Sequence, residues 1–274
     1  MDNTDRSPGH LEQATHEASR ARGPRYNESR RARLLQVASI LAVLGAWEAA
    51  ARLGWVDPLF VAPPSAVARA LGAIGPAALG ALADTLGKTA LAYAIAVALG
   101  VPLGLLVGSV RLVHDVVHPF VVALYGTPKI LVLPWIVLIL GFGTAPAVFY
   151  GAIHGLFPIM IIVIGGVRDV DRTLITVARA YGARPWQIYG KVILPACVPS
   201  VVASLRLGLV FSLLGVLIVE TFAGVRGMGY LMSAYANGFQ AAHLFAATAL
   251  VSAASIAIVL ALDRLNERLS HWRG

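Results

Sequence analysis

The sequence is poor in charge and in cysteine, and each shortage excludes a class of protein. Only 13% of its 274 residues are charged, whereas soluble chains carry roughly 25%. In addition, 58% of the residues are hydrophobic, and the mean hydropathy is +0.74. Away from its ends the chain is too apolar to be disordered, and its single cysteine, Cys197, cannot form an internal disulfide. We therefore interpret it as a helical integral membrane protein.

Motifs for nucleotide binding, metal binding or catalysis are also scarce. LGKT (86–89) resembles the end of a phosphate-binding loop, but that motif needs a glycine at position 82, where this chain has leucine. The histidines lack a metal-ligand spacing, and no paired carboxylates fall within an apolar segment, as they would in many ion-coupled carriers. We predict no catalytic residue, no cofactor and no metal, and we assign any ATP hydrolysis to a separate chain.

The net charge of +8 does not indicate nucleic-acid binding. The basic residues lie between apolar blocks and are not interleaved with stacking aromatic side chains. We therefore predict no nucleic-acid partner and expect the lipid bilayer to be the surroundings of the chain.

Six apolar segments are long enough to cross a bilayer, which takes about 20 mostly apolar residues per helix. Helices are predicted instead of barrel strands because the segments do not alternate polar and apolar residues. The predicted spans are residues 34–54, 88–110, 119–140, 144–166, 199–222 and 243–262.

The positions of lysine and arginine predict the orientation of these spans. Sixteen of the 22 lie in the segments that fall on one side, which are 1–33, 111–118, 167–198 and 263–274. Only Arg69 and Arg226 lie in the segments on the other side. This asymmetry predicts that both chain ends are in the cytoplasm. The predicted flanking segments are a disordered cytoplasmic tail (1–33), an outer segment (55–87) and a second cytoplasmic tail (263–274).

Three glycines recur at intervals of four residues in the second span. Gly100, Gly104 and Gly108 fall on one face of a helix, where small residues let another helix approach closely. We predict a helix-packing role for them, with a pore-lining role as the alternative.

Two residues of the third span are candidates for a solute pathway. Lys129 falls near the middle of the predicted span, where its charge can attract an anion. The alternative is that the span starts later and that the lysine reaches the inner interface. Trp135 can contact a solute, and its alternative roles are packing and anchoring at the membrane interface.

Loop 167–198 is longer than the connection that two neighbouring helices need. It has a helical pattern of its own, with apolar residues at i, i+3, i+4 and i+7, and Gly182 is placed to end that helix. A second helix is predicted after Pro185, and Pro195 is predicted to interrupt it before the next span. Short amphipathic helices of this kind either lie in the lipid interface or dock into a groove on a partner protein.

Within this loop, TVARAYGARPWQIYGKVILP (176–195) resembles the cytoplasmic motif of ABC-importer permeases. The motif has Glu-Ala-Ala, three residues, Gly, nine residues, and then Ile-x-Leu-Pro. Gly182 takes the glycine position, and the final three positions are taken by Val192, Leu194 and Pro195. Thr176 and Val177 replace the glutamate and the first alanine, while Ala178 keeps the second. The departure puts the role of that acidic side chain in doubt here, although the spacing is intact.

Further stretches resemble the branch of these permeases that imports nitrate, sulfonates and taurine. They are LFVAPPSAVARAL (59–71), LGVPLGLLVG (99–108), LPWIVLILGFG (133–143), GGVRDVD (165–171) and VETFAGVRGMGYLM (219–232). The resemblance covers residues 58–265. It implies a non-catalytic, multi-pass permease subunit of the bacterial inner membrane, with the type I ABC-importer permease fold and its core domain over 88–262.

By this resemblance, loop 167–198 forms the coupling helix that seats in a cleft of the ATPase subunit. The residues predicted to make that contact are Leu174, Thr176, Val177, Ala178, Tyr181, Gly182, Trp186, Val192, Leu194 and Pro195. The implied partners are two ATPase subunits, a second and identical permease copy, and an external solute-binding protein.

The implied solute is a small anion of the sulfonate, taurine or nitrate type. A small heterocycle, such as a pyrimidine precursor, is the alternative. From other functional classes, a secondary carrier or channel and an accessory membrane protein without transport remain open.

Overall fold

The computed structural model describes the backbone of residues 25–270 and the side chains of residues 31–264. Within residues 25–270, every regular element is a helix. The elements are α1 (Arg25–Arg52), α2 (Pro64–Ser109), α3 (Arg111–Gly126), a 3-10 turn (Lys129–Val132), α4 (Leu133–Leu140), α5 (Thr144–Arg168), α6 (Arg172–Ala180), α7 (Pro185–Ile188), a π turn (Tyr189–Ile193), α8 (Leu194–Ala223), α9 (Met228–Asn237) and α10 (Ala241–Ser270).

The predicted all-helical membrane fold is confirmed. In the described part of the chain, five helices are long and apolar enough to cross a membrane. The number becomes six when α3 and the segment Lys129–Leu140 are taken together as one bent span.

The third predicted span is not one continuous helix. α3 begins at Arg111 and ends at Gly126, and the chain bends by 86° before Lys129–Leu140. Pro128 explains the break, because it has no N–H for the helix ladder and restricts the residue before it to extended backbone. Thr127 has φ −71° and ψ 134° accordingly. The predicted span therefore contains two helical segments with Thr127 and Pro128 between them.

Helix starts and ends also differ from the predicted segments. α2 begins at Pro64, inside the predicted outer segment, because proline is favoured in the first helical turn and the alanine-rich residues that follow favour helix. At 46 residues it is about 69 Å long, more than the ~30 Å thickness of a bilayer core. α1 begins at Arg25 and α10 continues to Ser270, so both enter the predicted tails. Residues 1–24 and 271–274 of those tails lie outside the described residues.

The predicted interruption at Pro195 is wrong. α7, the π turn and α8 follow one another as a single 39-residue apolar helix from Pro185 to Ala223. Pro195 lies in the first turn of α8, directly after the π turn, where a missing backbone N–H is tolerated.

The chain divides into two compact units. The first contains α1, the residues that follow it up to Pro58, and residues 63–65. Within it, the Glu48 carboxylate accepts hydrogen bonds from Arg52 Nε at 2.5 Å and from the Ser65 backbone N–H at 3.0 Å. The second unit contains residues 59–62 and the chain from residue 66 onward, and it holds the sites described below.

In the second unit, α5 is packed between α2 and α8 through glycines. A Cβ atom added at Gly100, Gly104 or Gly108 of α2 would lie 2.9, 2.8 or 2.7 Å from a side-chain carbon of α5, on Ile159, Val163 and Val167 respectively. These distances are shorter than real Cβ contacts. On its other side, α5 places Gly155 against the backbone of Gly208 in α8. The helices therefore approach to backbone contact, which only small residues allow.

The glycine contacts predict opposite effects for two alanine substitutions in α2. Gly104→Ala should lower the free energy of unfolding by about 1–3 kcal/mol, because its Cβ overlaps Val163 and the neighbouring backbone. Gly87→Ala is the matched control, since no atom lies within 4 Å of its added Cβ, and alanine favours helix by up to about 1 kcal/mol. Thermal unfolding of the detergent-purified protein measures both. Equal melting temperatures would contradict close packing at Gly104.

Candidate functional site

Helix α6 in loop 167–198 is held by a hydrogen-bonded cap at its start. The Asp171 carboxylate accepts a hydrogen bond from the Thr173 backbone N–H at 2.7 Å. This bond to the charged form lowers the pKa of Asp171 below its ordinary value. The sequence analysis did not single out Asp171 as a cap, although an aspartate directly before an apolar-periodic segment is a start signal for a helix.

The other end of α6 closes at the predicted glycine. Gly182 has φ +74°, a left-handed conformation that side chains with a Cβ adopt at a cost. The Ala183 N–H donates to the Ala178 carbonyl at 3.0 Å, and the Gly182 N–H donates to the Arg179 carbonyl at 2.9 Å. These two bonds form a Schellman motif, which satisfies the last carbonyls of the helix.

Around this capped helix lies a group of large apolar side chains with little cover. We call it the loop patch, and it consists of Leu174, Val177, Tyr181 and Trp186. Their exposed fractions range from 48% at Val177 to 88% at Tyr181. The opposite face of α6 is covered, since Ile175 packs against a buried cluster that contains Val167 and Cys197. The pattern predicted from the sequence therefore faces away from the protein.

The remaining residues of the predicted contact differ in their exposure. The Thr176 hydroxyl donates to the Arg172 carbonyl at 2.9 Å, within its own helix. Ala178, Val192 and Leu194 are half-buried, and Pro195 is exposed. Their role in docking stays a prediction.

The two pathway candidates occupy different surroundings. Lys129 lines a cavity of about 380 Å³ at the bend between α3 and α4. Its Nζ donates to the Tyr125 carbonyl at 3.0 Å and lies 5.2 Å from the ring centroid of Tyr125 and 5.4 Å from that of Phe157. Trp135 is exposed on α4 and is not among the residues that line this cavity.

A cluster of charged side chains with a buried centre, which was not predicted from the sequence, lies between α2 and α8. Lys88 Nζ is 2.5 Å from Asp84 Oδ2 and 2.9 Å from Glu220 Oε1, and Arg226 Nε is 3.1 Å from Asp84 Oδ1. Lys88 and Glu220 are buried. We call these four residues the Lys88 cluster. Its signal was present in the sequence, because an ionisable residue inside an apolar span needs a partner, and Lys88 and Glu220 both lie within predicted spans.

Backbone groups of α9 complete the Lys88 cluster. Glu220 Oε2 accepts hydrogen bonds from the Thr85 hydroxyl at 2.7 Å and from the Gly229 N–H at 3.0 Å. The Thr85 oxygen in turn accepts from the Met228 N–H at 2.8 Å. Three helices, α2, α8 and α9, are therefore joined at one carboxylate.

Comparison with known proteins places this architecture in one family. Residues 100–273 match the family described as the binding-protein-dependent transport system inner membrane component. The chain is similar to the taurine transport system permease protein TauC of Escherichia coli, with 27% identity over 88% of this chain and 90% of TauC. It is also similar to the putative aliphatic sulfonates transport permease protein SsuC of Escherichia coli, with 29% identity over 70% of this chain and 73% of SsuC.

The fold has solved relatives. A chain of the MetNI methionine ABC transporter, in an inward-facing conformation, superposes with a TM-score of 0.61 at 23% identity. The match covers 68% of this chain and 93% of that one. The predicted type I permease fold is confirmed by this likeness.

The Lys88 cluster predicts that Lys88→Met alone destabilises the protein more than Lys88→Met combined with Glu220→Gln. Lys88→Met should lower the free energy of unfolding by about 3–5 kcal/mol, because it removes a cation from beside the buried Glu220 carboxylate. Adding Glu220→Gln to that variant should restore part of the loss, since the buried charge is then gone while the amide oxygen still accepts hydrogen bonds. Thermal unfolding in detergent measures both variants. A double variant that is less stable than Lys88→Met would contradict the pairing.

Proposed function

The chain belongs to the family of binding-protein-dependent transport system inner membrane components and is the permease of an ABC importer, and we propose that its solute is a small organic anion of the sulfonate or taurine type. The observation that carries this proposal is the similarity to TauC over nine-tenths of both chains. The similarity to SsuC of two bacteria, Escherichia coli and Bacillus subtilis, supports the same solute class.

A heterocyclic solute is the second candidate. The riboflavin transport system permease protein RibX of Chloroflexus aurantiacus is 27% identical over 60% of this chain. This match covers less of the chain than the match to TauC. A heterocycle is therefore the alternative solute, and a transport assay has to distinguish it from a sulfonate.

The loop patch is the surface that we assign to the ATPase partner. Four large apolar side chains are exposed around a helix capped at both ends, so they form a preshaped apolar surface. An apolar patch of this kind, bordered by Arg172, Arg179 and Arg184, fits docking of a short amphipathic helix into a groove. Docking requires the loop to be in the cytoplasm, in agreement with the predicted orientation.

In this proposal the complete transporter has four kinds of component. Two ATPase subunits bind and hydrolyse ATP, and an external binding protein delivers the solute. This chain and an identical copy form the pathway, and the bilayer surrounds both. Gating follows because the ATPase pair contacts the loop patch differently in its two states, and only such differential contacts shift a conformational equilibrium.

The solute class is tested by uptake. The permease, with the ATPase and binding protein that co-purify with it, is expressed in a bacterial strain without sulfonate importers of its own. We expect growth on taurine or butanesulfonate as the sole sulfur source, and no growth when the ATPase is inactivated. Riboflavin uptake without sulfonate uptake would reject the anion and support the heterocycle.

The docking surface is tested by two glycine variants of loop 167–198. Gly182→Val places a β-branched residue at φ +74°, which costs about 1–2 kcal/mol and distorts the Schellman motif. We expect it to insert normally into the membrane but to lose most ATPase co-purification and solute uptake. Gly190→Val is the matched control, because that glycine has no positive φ and no atom within 4 Å of an added Cβ.

Removal of residues 174–190 should abolish the complex with the ATPase altogether. An ATPase that still co-purifies with this deletion variant would show that the loop patch is not the docking surface.

A further inference from the structure

Helix α9 ends in the same hydrogen-bonded motif as α6. The Gln240 N–H donates to the Tyr235 carbonyl at 2.9 Å, and the Phe239 N–H donates to the Ala236 carbonyl at 3.1 Å. These are the two bonds of a Schellman motif, in which the residue after the helix end has a left-handed conformation. At the end of α9 this residue is Phe239, with φ +54°.

Phenylalanine is a rare residue at this position of the motif. In α6 the equivalent residue is Gly182, and glycine adopts a positive φ without steric cost because it has no Cβ. Among the residues that the structure describes, Phe239 is the only one other than glycine with a positive φ. Its backbone therefore carries a cost that a glycine would avoid, and strain of this kind is concentrated at functional sites.

Packing within this chain does not account for the strained phenylalanine. Phe239 is 57% exposed, and its ring contacts that of Phe60, which is 62% exposed. The two ring centroids are 6.3 Å apart at an interplanar angle of 78°, which is a favourable edge-to-face geometry. More than half of each residue nevertheless remains uncovered.

This aromatic pair lies on the side of the membrane opposite to the loop patch. The loop patch lies at the start of the 39-residue helix Pro185–Ala223, which is long and apolar enough to cross the membrane. Helix α9 follows the other end of that helix, and the apolar span of α10 begins at Ala241, two residues after Phe239. In the proposed orientation this is the outer side.

The immediate neighbours of Phe239 are polar. Asn237 and Gln240 are exposed amides, and residues 238–240 are not helical. Exposed amides and non-helical backbone do not face the hydrocarbon core, because lipid offers them no hydrogen bonds. The two phenyl rings are therefore an apolar surface in contact with water, which is typical of an interaction site. We call Phe60, Asn237, Phe239 and Gln240 the outer patch.

The outer patch is held on a fixed corner between α9 and α10. The rings of Tyr235 and His243 contact each other across this corner, with centroids 5.3 Å apart. The first turn of α9 is bonded to the Thr85 hydroxyl and to the Glu220 carboxylate, as described above. A surface that is ordered before binding loses less conformational entropy when a partner docks.

We propose that the outer patch is the docking site of the external solute-binding protein. An apolar recess of that protein receives the Phe60 and Phe239 rings, and its polar rim hydrogen-bonds to the Asn237 and Gln240 amides. Aromatic anchors within a polar rim are the usual composition of the residues that dominate a protein interface.

The occupant is a soluble binding protein and not lipid, because the patch is bordered by exposed amides and non-helical backbone. The family of this chain depends on such a protein, which has to dock on the side opposite to the ATPase. The inference rests on the proposed function, because it takes the loop patch to face the cytoplasm.

The test uses the whole transporter in lipid nanodiscs and the purified solute-binding protein whose gene neighbours that of the permease. Phe239→Gly removes the ring and relieves the positive φ. It should raise the Kd for the binding protein roughly 10- to 100-fold, as expected for loss of an aromatic anchor. The melting temperature of the transporter should not fall, because glycine adopts this φ freely.

A second variant, Phe60→Ala, removes the other ring from a separate segment of the chain and should also raise the Kd at least about 5-fold. For both variants, a higher concentration of binding protein should restore the native maximum of ATP hydrolysis. The matched control is Phe120→Ala, which removes a ring that is 67% exposed on α3, outside the outer patch, and should leave the Kd unchanged.

The outcomes separate the two proposals. If the binding protein does not stimulate ATP hydrolysis by the native transporter, the proposed assembly fails. If it does, and both Phe239→Gly and Phe60→Ala keep the native Kd, the assembly stands and the outer patch is not the docking site. A native Kd together with poorer insertion into the membrane would make the rings lipid anchors and overturn the proposal. Should Phe239→Gly fail to fold, Phe60→Ala alone decides, and a native Kd in that variant overturns the docking site.

Discussion

The second unit depends on one buried carboxylate, that of Glu220. A buried charge is stable only when it is paired and its lone pairs accept hydrogen bonds. Lys88 provides the pairing, and the Thr85 hydroxyl and the Gly229 N–H provide hydrogen bonds. These partners come from α2 and α9, so neither helix can move away from α8 without leaving a buried charge exposed to an apolar interior. Lipid offers no hydrophobic driving force between helices, so polar contacts of this kind and close glycine packing hold the unit together.

The features that were predicted from the sequence depend on residues that lie close together in the chain, whereas the Lys88 cluster does not. Apolar length identifies spans, and the glycine triplet identifies a contact face, because both depend on residues close together in the chain. Gly182 was predicted as a helix end for the same reason. The bend at Pro128 was missed, since the predicted span ran through Gly126, Thr127, Pro128 and Lys129 although a proline is a break signal within a helical pattern. The Lys88 cluster was missed because its two central charges are 132 positions apart, and only the fold brings them together.

Lys88 and Lys129 both lie within predicted spans, but the side chains around each lysine differ. Lys88 is enclosed with two acids and holds helices together. Lys129 contacts the Tyr125 carbonyl and two aromatic rings, and it lines a cavity at the bend between α3 and α4. Sequence position alone treats these residues alike, as single charges within apolar segments. Their difference lies in partners that come from distant parts of the chain.

The absence of a break between Pro185 and Ala223 has a mechanical consequence. The loop patch residue Trp186 and the carboxylate of Glu220 lie on one continuous rod, 34 positions apart, which corresponds to about 50 Å of helix. α5 packs against this rod at several points between Ser200 and Val216, so it supports the rod along much of its length. A displacement of the loop patch at Trp186 is therefore transmitted toward the Lys88 cluster along one helix, in which the π turn Tyr189–Ile193 lies between the two ends.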